Sequence, residues 1–163
     1  MLPIQTSPVM KRLHEALEYY DEYQRPVKGF FMTELDHNSQ APDRHPVLVY
    51  IQPTSLSAPK TAERLPPDWI GEVLSDPSAP SYLAKYARHG VAEYWRVRAY
   101  PADQPPTVEV HSGAQREAGD YAEHAVFTGD QTIVSAAFPG LQLRPVDLLP
   151  GDEPLVPPDP PGA

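Results

Sequence analysis

Glu72 is the residue in this sequence whose setting most demands a chemical explanation. It interrupts the apolar run Trp69-Ile70-Gly71-Glu72-Val73-Leu74, which has the length and composition of a strand buried on both faces. A carboxylate in such a place needs a partner or a metal ion, because an isolated buried charge is too costly. An ion pair with an arginine such as Arg96 accounts for Glu72 as well as a metal does. Asp68, four residues earlier, follows Pro67, as an aspartate capping a turn into a strand often does. Along an extended strand it stands about 13 Å from Glu72. The six histidines (His14, His37, His45, His89, His111 and His124) show no H-x3-H or H-E-x2-H spacing. They read as surface or packing residues and not as a zinc site. Ser75 and Ser135 lack the G-x-S-x-G elbow of a hydrolase, and the nine glycines are scattered with no phosphate-cradling loop among them. Tyr19, Tyr20 and Tyr23 could stack on bases, but an amphipathic helix packing on a sheet explains them at less cost.

The elements that would position these residues follow from periodicity. Ser7-Pro8 has the form of a helix start, with serine as the cap and proline at the first turn. Val9, Leu13, Leu17 and Tyr20 recur at helical spacing, and Arg25-Pro26 ends the pattern. Strands are expected over 28–35, 47–51 and 69–74, and a helix over 81–89 closed by Gly90. A hairpin then spans 92–100 and 107–111, with further strands at 121–128 and 132–136, an extended piece at 141–143 and a closing turn at 146–149. Helix, strands, helix and meander give an α/β (α+β) fold with a mixed β-sheet flanked by helices. Residues 1–149 are expected to form a single domain. The segment 150–163, with six of the chain's 22 prolines, reads as an extended, mostly disordered tail.

Composition narrows the function. The 163 residues suffice for one domain with its own core. There is no apolar run of the roughly 20 residues that span a bilayer, and the start, Met1-Leu2-Pro3-Ile4, lacks a secretion signal. With Cys 0 there are no disulfides or thiolate metal sites, and a cytoplasmic location is expected. The net charge of −9 makes a passive nucleic-acid binder a poor fit. A metal-dependent nuclease is less affected, because a bound ion supplies its own positive charge.

The most distinctive block is Pro67-Asp68-Trp69-Ile70-Gly71-Glu72-Val73-Leu74-Ser75, followed by Tyr86-Ala87-Arg88-His89-Gly90-Val91 and Glu93-Tyr94-Trp95-Arg96-Val97. Phe138-Pro139-Gly140-Leu141 and Val146-Asp147-Leu148-Leu149 close the pattern. In this order the blocks resemble the Uma-type family of predicted restriction endonucleases, within the PD-(D/E)XK nuclease superfamily. The resemblance runs over about residues 7–149 and is strongest over 67–97.

That resemblance implies a restriction-endonuclease-like fold and Mg²⁺-dependent hydrolysis of DNA. Family members hold the ion between an Asp and a Glu on adjacent strands, and a lysine orients the attacking water. Hard oxygen donors suit Mg²⁺, which can generate the nucleophile and stabilise charge at phosphorus. Glu72 matches the family glutamate. The family's first metal aspartate aligns with Val47, and Asp43, four residues upstream, is the available replacement. The lysine position on the helix is Tyr82; Lys85, one turn on, is the available substitute, although it reads equally as a solvated helix residue. Asp68 is a further catalytic candidate. The implied set is therefore Glu72, Lys85 and Asp68 for catalysis and Glu72 with Asp43 for metal, on a scaffold whose active site looks degenerate. Two readings stand beside each other: a DNA endonuclease, and a catalytically silent relative that works through protein contacts, as a homodimer or with an intact paralogue. A third, weaker reading is a decayed gene product with a stable fold and no retained role.

Overall fold

The computed structural model describes residues 8–24, 30–35, 46–51, 68–74, 77, 82–101 and 103–149. Ser7, Asp43 and the proline-rich segment 150–163 lie outside the described residues. The first helix, α1 (Pro8–Gln24), buries Val9, Met10, Leu13, Leu17 and Tyr20 along one stripe, as the helical spacing predicts. Six strands follow: β1 (Phe30–Leu35), β2 (Pro46–Ile51), β3 (Trp69–Leu74), β4 (Glu93–Arg98), β5 (Thr107–Gln115) and β6 (Asp120–Phe127). A short helix, α2 (Leu83–Arg88), stands between β3 and β4, and a 3-10 turn at Pro145–Leu148 closes the described part.

The sheet runs β1-β2-β3-β4-β5-β6 in sequence order. Every neighbouring pair is antiparallel except β3 and β4. The parallel pair needs a crossover connection, and α2 lies within it. This is the mixed-sheet α+β architecture expected from the sequence, consistent with a restriction-endonuclease-like fold.

Side chains alternate between the two faces of the sheet. Leu48 and Tyr50, Trp69 and Val73, and Trp95 and Val97 pack with α1 and with the segment 133–148 in one core. Val49, Ile70 and Tyr94 point the other way and pack with Tyr86, Ala87 and Val91 from α2 and its exit. The α1 side is centred on Phe138, fully buried between Tyr20, Trp69 and Trp95 in edge-to-face contacts 5.5–6.2 Å apart. Gly71 makes that packing possible. A Cβ built there would lie 2.2 Å from Trp69 Cη2, so the indole lies along its own strand over a residue with no side chain.

One expected element does not form as a strand. Residues 132–136 and 141–143 are joined by Ile133 N–H to Leu143 C=O at 2.8 Å, but neither belongs to the ladder. The end of the first stretch is held instead by Glu93, only 2% exposed. Its carboxylate accepts the Ala136 N–H at 2.9 Å, the Ala137 N–H at 3.4 Å, the Trp95 Nε1–H at 2.8 Å and the Ser135 hydroxyl. The last backbone donor of the stretch 132–136 is thus taken by a side chain. Among the described residues, no helix is long and apolar enough to cross a membrane.

Candidate functional site

Glu72 sits in the middle of β3 with no exposed surface, on the α2 side of the sheet. Strand register fixes its neighbours. Val47 of β2 is directly opposite on one side and Arg96 of β4 on the other. The row continues through Arg96 to Glu109 on β5 and from there to Val126 on β6. The Tyr94 phenol, one pleat along, lies close enough to Glu72 for its titration to respond. Burial pushes its pKa well up from the usual tyrosine value, and the Glu72 charge and the Tyr86 phenol raise it further against the pull of Arg96. Tyr94 therefore stays a neutral phenol beside the buried carboxylate.

The other sequence-predicted residues are placed less favourably for one shared centre. Asp68 stands before β3, with its N–H bonded to the Tyr50 carbonyl at 3.0 Å. It borders a cavity of about 520 Å³ together with Gly90, Ser112, Arg116 and Ala136. Four residues of strand separate it from Glu72, about 13 Å. Lys85 is on α2, with its ammonium 5.5 Å from the centroid of the Tyr82 ring. Tyr82 is the residue that leads into that helix. The helix does cover the correct face, because Tyr86 packs 5.1 Å from Tyr94. Asp43 lies outside the described residues. Glu93, within the most recognisable part of the sequence, is bound into the structure by its four donors and stabilises the segment after β6.

The register across β2 and β3 tests the metal that the sequence resemblance implies. An Asp opposite Glu72 would complete a pair of hard oxygen ligands. The residue there is Val47, which has no ligand atom. The described residues do not fit an Mg²⁺ centre at Glu72.

Sequence spacing gave no sign of a second polar group on the same sheet face. His111 on β5 pairs directly with His124 on β6, and Glu109 lies one pleat away. Glu109 Oε1 is 3.6 Å from His111 Nε2 and 3.6 Å from His124 Nε2, while its other oxygen holds Arg98 Nε at 2.6 Å. The two imidazoles stack with centroids 4.5 Å apart and planes 11° from parallel. Burial lowers the His111 pKa, with help from His124, against the opposing pull of Glu109. These residues are 2, 13 and 15 positions apart in sequence, so only strand pairing brings them together.

The family model of Uma2, described as a putative restriction endonuclease, matches residues 14–147. The chain belongs to this family. No curated protein and no solved structure gave a match. The match spans α1 to the closing 3-10 turn and so includes Glu72, Val47, Tyr82 and Lys85. Membership supports a nuclease ancestry with DNA as the substrate.

Proposed function

We propose that this Uma2-family chain keeps the nuclease scaffold over residues 1–149 but lacks a working Mg²⁺ centre, and that it functions through protein contacts. The observation that carries this reading is the register of Val47 against Glu72. Where two carboxylates are needed, the strand pair offers one. Tyr82 at the entrance to α2, where the resemblance expects a lysine, points the same way, as does a net charge of −9, which opposes approach to phosphate. The partner is a second copy of the chain or an intact paralogue. A cysteine-free chain is compatible with the cytoplasm.

Plasmid nicking in Mg²⁺ or Mn²⁺ tests the proposal, using the wild type, Glu72→Ala and Val47→Asp. The wild type is expected to leave supercoiled plasmid intact with either ion. Val47→Asp, which restores a carboxylate opposite Glu72, is expected to raise Mg²⁺ affinity measured by calorimetry. Metal-dependent nicking by the wild type that disappears in Glu72→Ala would overturn the reading. It would return the second ligand to Asp43 and the water-positioning role to Lys85.

A further inference from the structure

On the outer strands of the same sheet face, we propose that Glu109, His111 and His124 form a binding site for a divalent transition-metal ion of the zinc type. This site is independent of the Mg²⁺ question at Glu72, and its donors are of a different chemical kind.

The first argument is donor spacing. One ligand atom from each residue falls within 4.8 Å of the others. Zinc bonds of about 2.0–2.1 Å at tetrahedral angles place neighbouring donor atoms about 3.4 Å apart. The two carboxylate-to-imidazole separations are 3.6 Å, too long for good hydrogen bonds and close to what a shared ion requires.

The second argument is burial. The His111 side chain is 9% exposed, and its Nε2 has no hydrogen-bond partner among the described residues. A buried imidazole nitrogen left in that state is destabilising; an ion between it and Glu109 would satisfy it.

The third argument is support from neighbours. Arg98 holds one oxygen of Glu109 at 2.6 Å and leaves the other aimed at the two rings. Tyr94 stacks on the inner side of His111, with centroids 5.7 Å apart. Glu109 and His111 are thus fixed, as ligands held by outer contacts usually are. His124 is not: its side chain is 50% exposed. Nearly parallel rings cannot both direct an in-plane lone pair at one ion, so His124 turns about its side-chain bonds to complete the site. Solvent reaches the site from the His124 side, leaving the remaining coordination position to water.

Two imidazoles and one carboxylate select zinc, cobalt or nickel over Mg²⁺, which prefers an all-oxygen shell. Arg98 adds a positive charge beside the ion, which lowers the affinity below that of a closed structural zinc site.

The test uses the full chain without an affinity tag, stripped with chelator and titrated first with Co²⁺ and then with Zn²⁺. One Co²⁺ per chain, with visible d–d absorption that Zn²⁺ displaces, is expected. His124→Ala, at a half-exposed position that does not disturb the core, is expected to weaken Zn²⁺ binding tenfold or more. Glu109→Gln is expected to do the same, and His89→Ala, outside the cluster, to leave it unchanged. Zinc is also expected to raise the melting temperature of the wild type but not of His124→Ala. Binding undiminished in both His124→Ala and Glu109→Gln, or no Zn²⁺ bound at tens of micromolar, overturns the site.

Discussion

Glu93→Ala is expected to be among the most destabilising single changes in this protein, because Glu93 binds four donors at once. The substitution removes the acceptor of the Trp95 indole N–H, the Ser135 hydroxyl and two backbone N–H groups. A buried donor left without an acceptor costs about 1–3 kcal/mol. Trp95 and Ser135 are both buried, so those two donors alone imply about 2–6 kcal/mol, with a central value of about 4. Ser135 also accepts the Phe138 N–H at 3.1 Å, so the loss reaches the aromatic residue at the centre of the core. Against a typical domain stability of about 5–15 kcal/mol, that is a large share. With a urea slope of about 2 kcal/mol per molar, the midpoint should fall by about 2 M. Urea unfolding followed by fluorescence of Trp69 and Trp95, the chain's two tryptophans, measures it directly. Glu93→Gln keeps the shape and one acceptor oxygen and should cost about 1–2 kcal/mol. The double variant with Ser135→Ala should be clearly less destabilised than the sum of the single changes, because the two groups share one network. A loss below about 1 kcal/mol for Glu93→Ala would refute the reasoning, since it would mean that water replaces the carboxylate at little cost.

Further outcomes follow from the same structure. Gly71→Ala places a methyl group where the Trp69 ring lies and should destabilise by about 1–3 kcal/mol through overpacking, read as a lower thermal midpoint. Phe138→Ala empties the centre of the α1-side core and should cost about 3–5 kcal/mol in chemical denaturation. Tyr94 and Tyr121 have pKa values raised chiefly by burial, with Glu72 and Glu93 respectively adding to the effect. A raised folded-state pKa means that the folded protein holds the proton more tightly, so stability is fully present below the ordinary tyrosine value of about 10 and declines as pH rises above it. Absorbance at alkaline pH should show these two phenols ionising only with unfolding, and a tyrosine titration complete by about pH 10.5 in the folded state would contradict this.

Much of the fold could be read from short-range pattern. The apolar spacing in α1, the continuous apolar run in β2 and the run around Glu72 all became the expected elements, because local periodicity and burial agree there. The stretch 132–136 alternates in the same manner, and its inward residues Ile133 and Ser135 are buried as alternation predicts. It is not a strand, and its last backbone donor, the Ala136 N–H, goes to a glutamate 43 positions away. No local pattern reveals such a partner. The candidate sites divide in the same way. Glu72 was legible because a charge inside an apolar run is a local anomaly. Glu109, His111 and His124 were not, since each is unremarkable in its own strand and the group exists only through the pairing of β5 with β6. Val47 stands opposite Glu72 in the register of β2 and β3, a pairing that the apolar pattern of either strand alone does not specify.

The single parallel pairing in the sheet has a consequence for how the molecule assembles. Strands β1 to β3 form one antiparallel meander and β4 to β6 another, each joined internally by neighbours in sequence. Within the sheet, the β3–β4 seam is the ladder that joins them among the described residues, and its paired residues are 24 positions apart, as Glu72 and Arg96 are. Local contacts form early and at low entropic cost, whereas the seam must wait for the longer connection to close. The two halves are therefore natural units of partial opening, with hydrogen exchange at the seam reporting their separation. Glu72 and Arg96, on opposite sides of the seam, are brought face to face only when the halves join. The buried Glu72, paired in register with Arg96, is thus also a reporter of the joining of the two halves of the sheet.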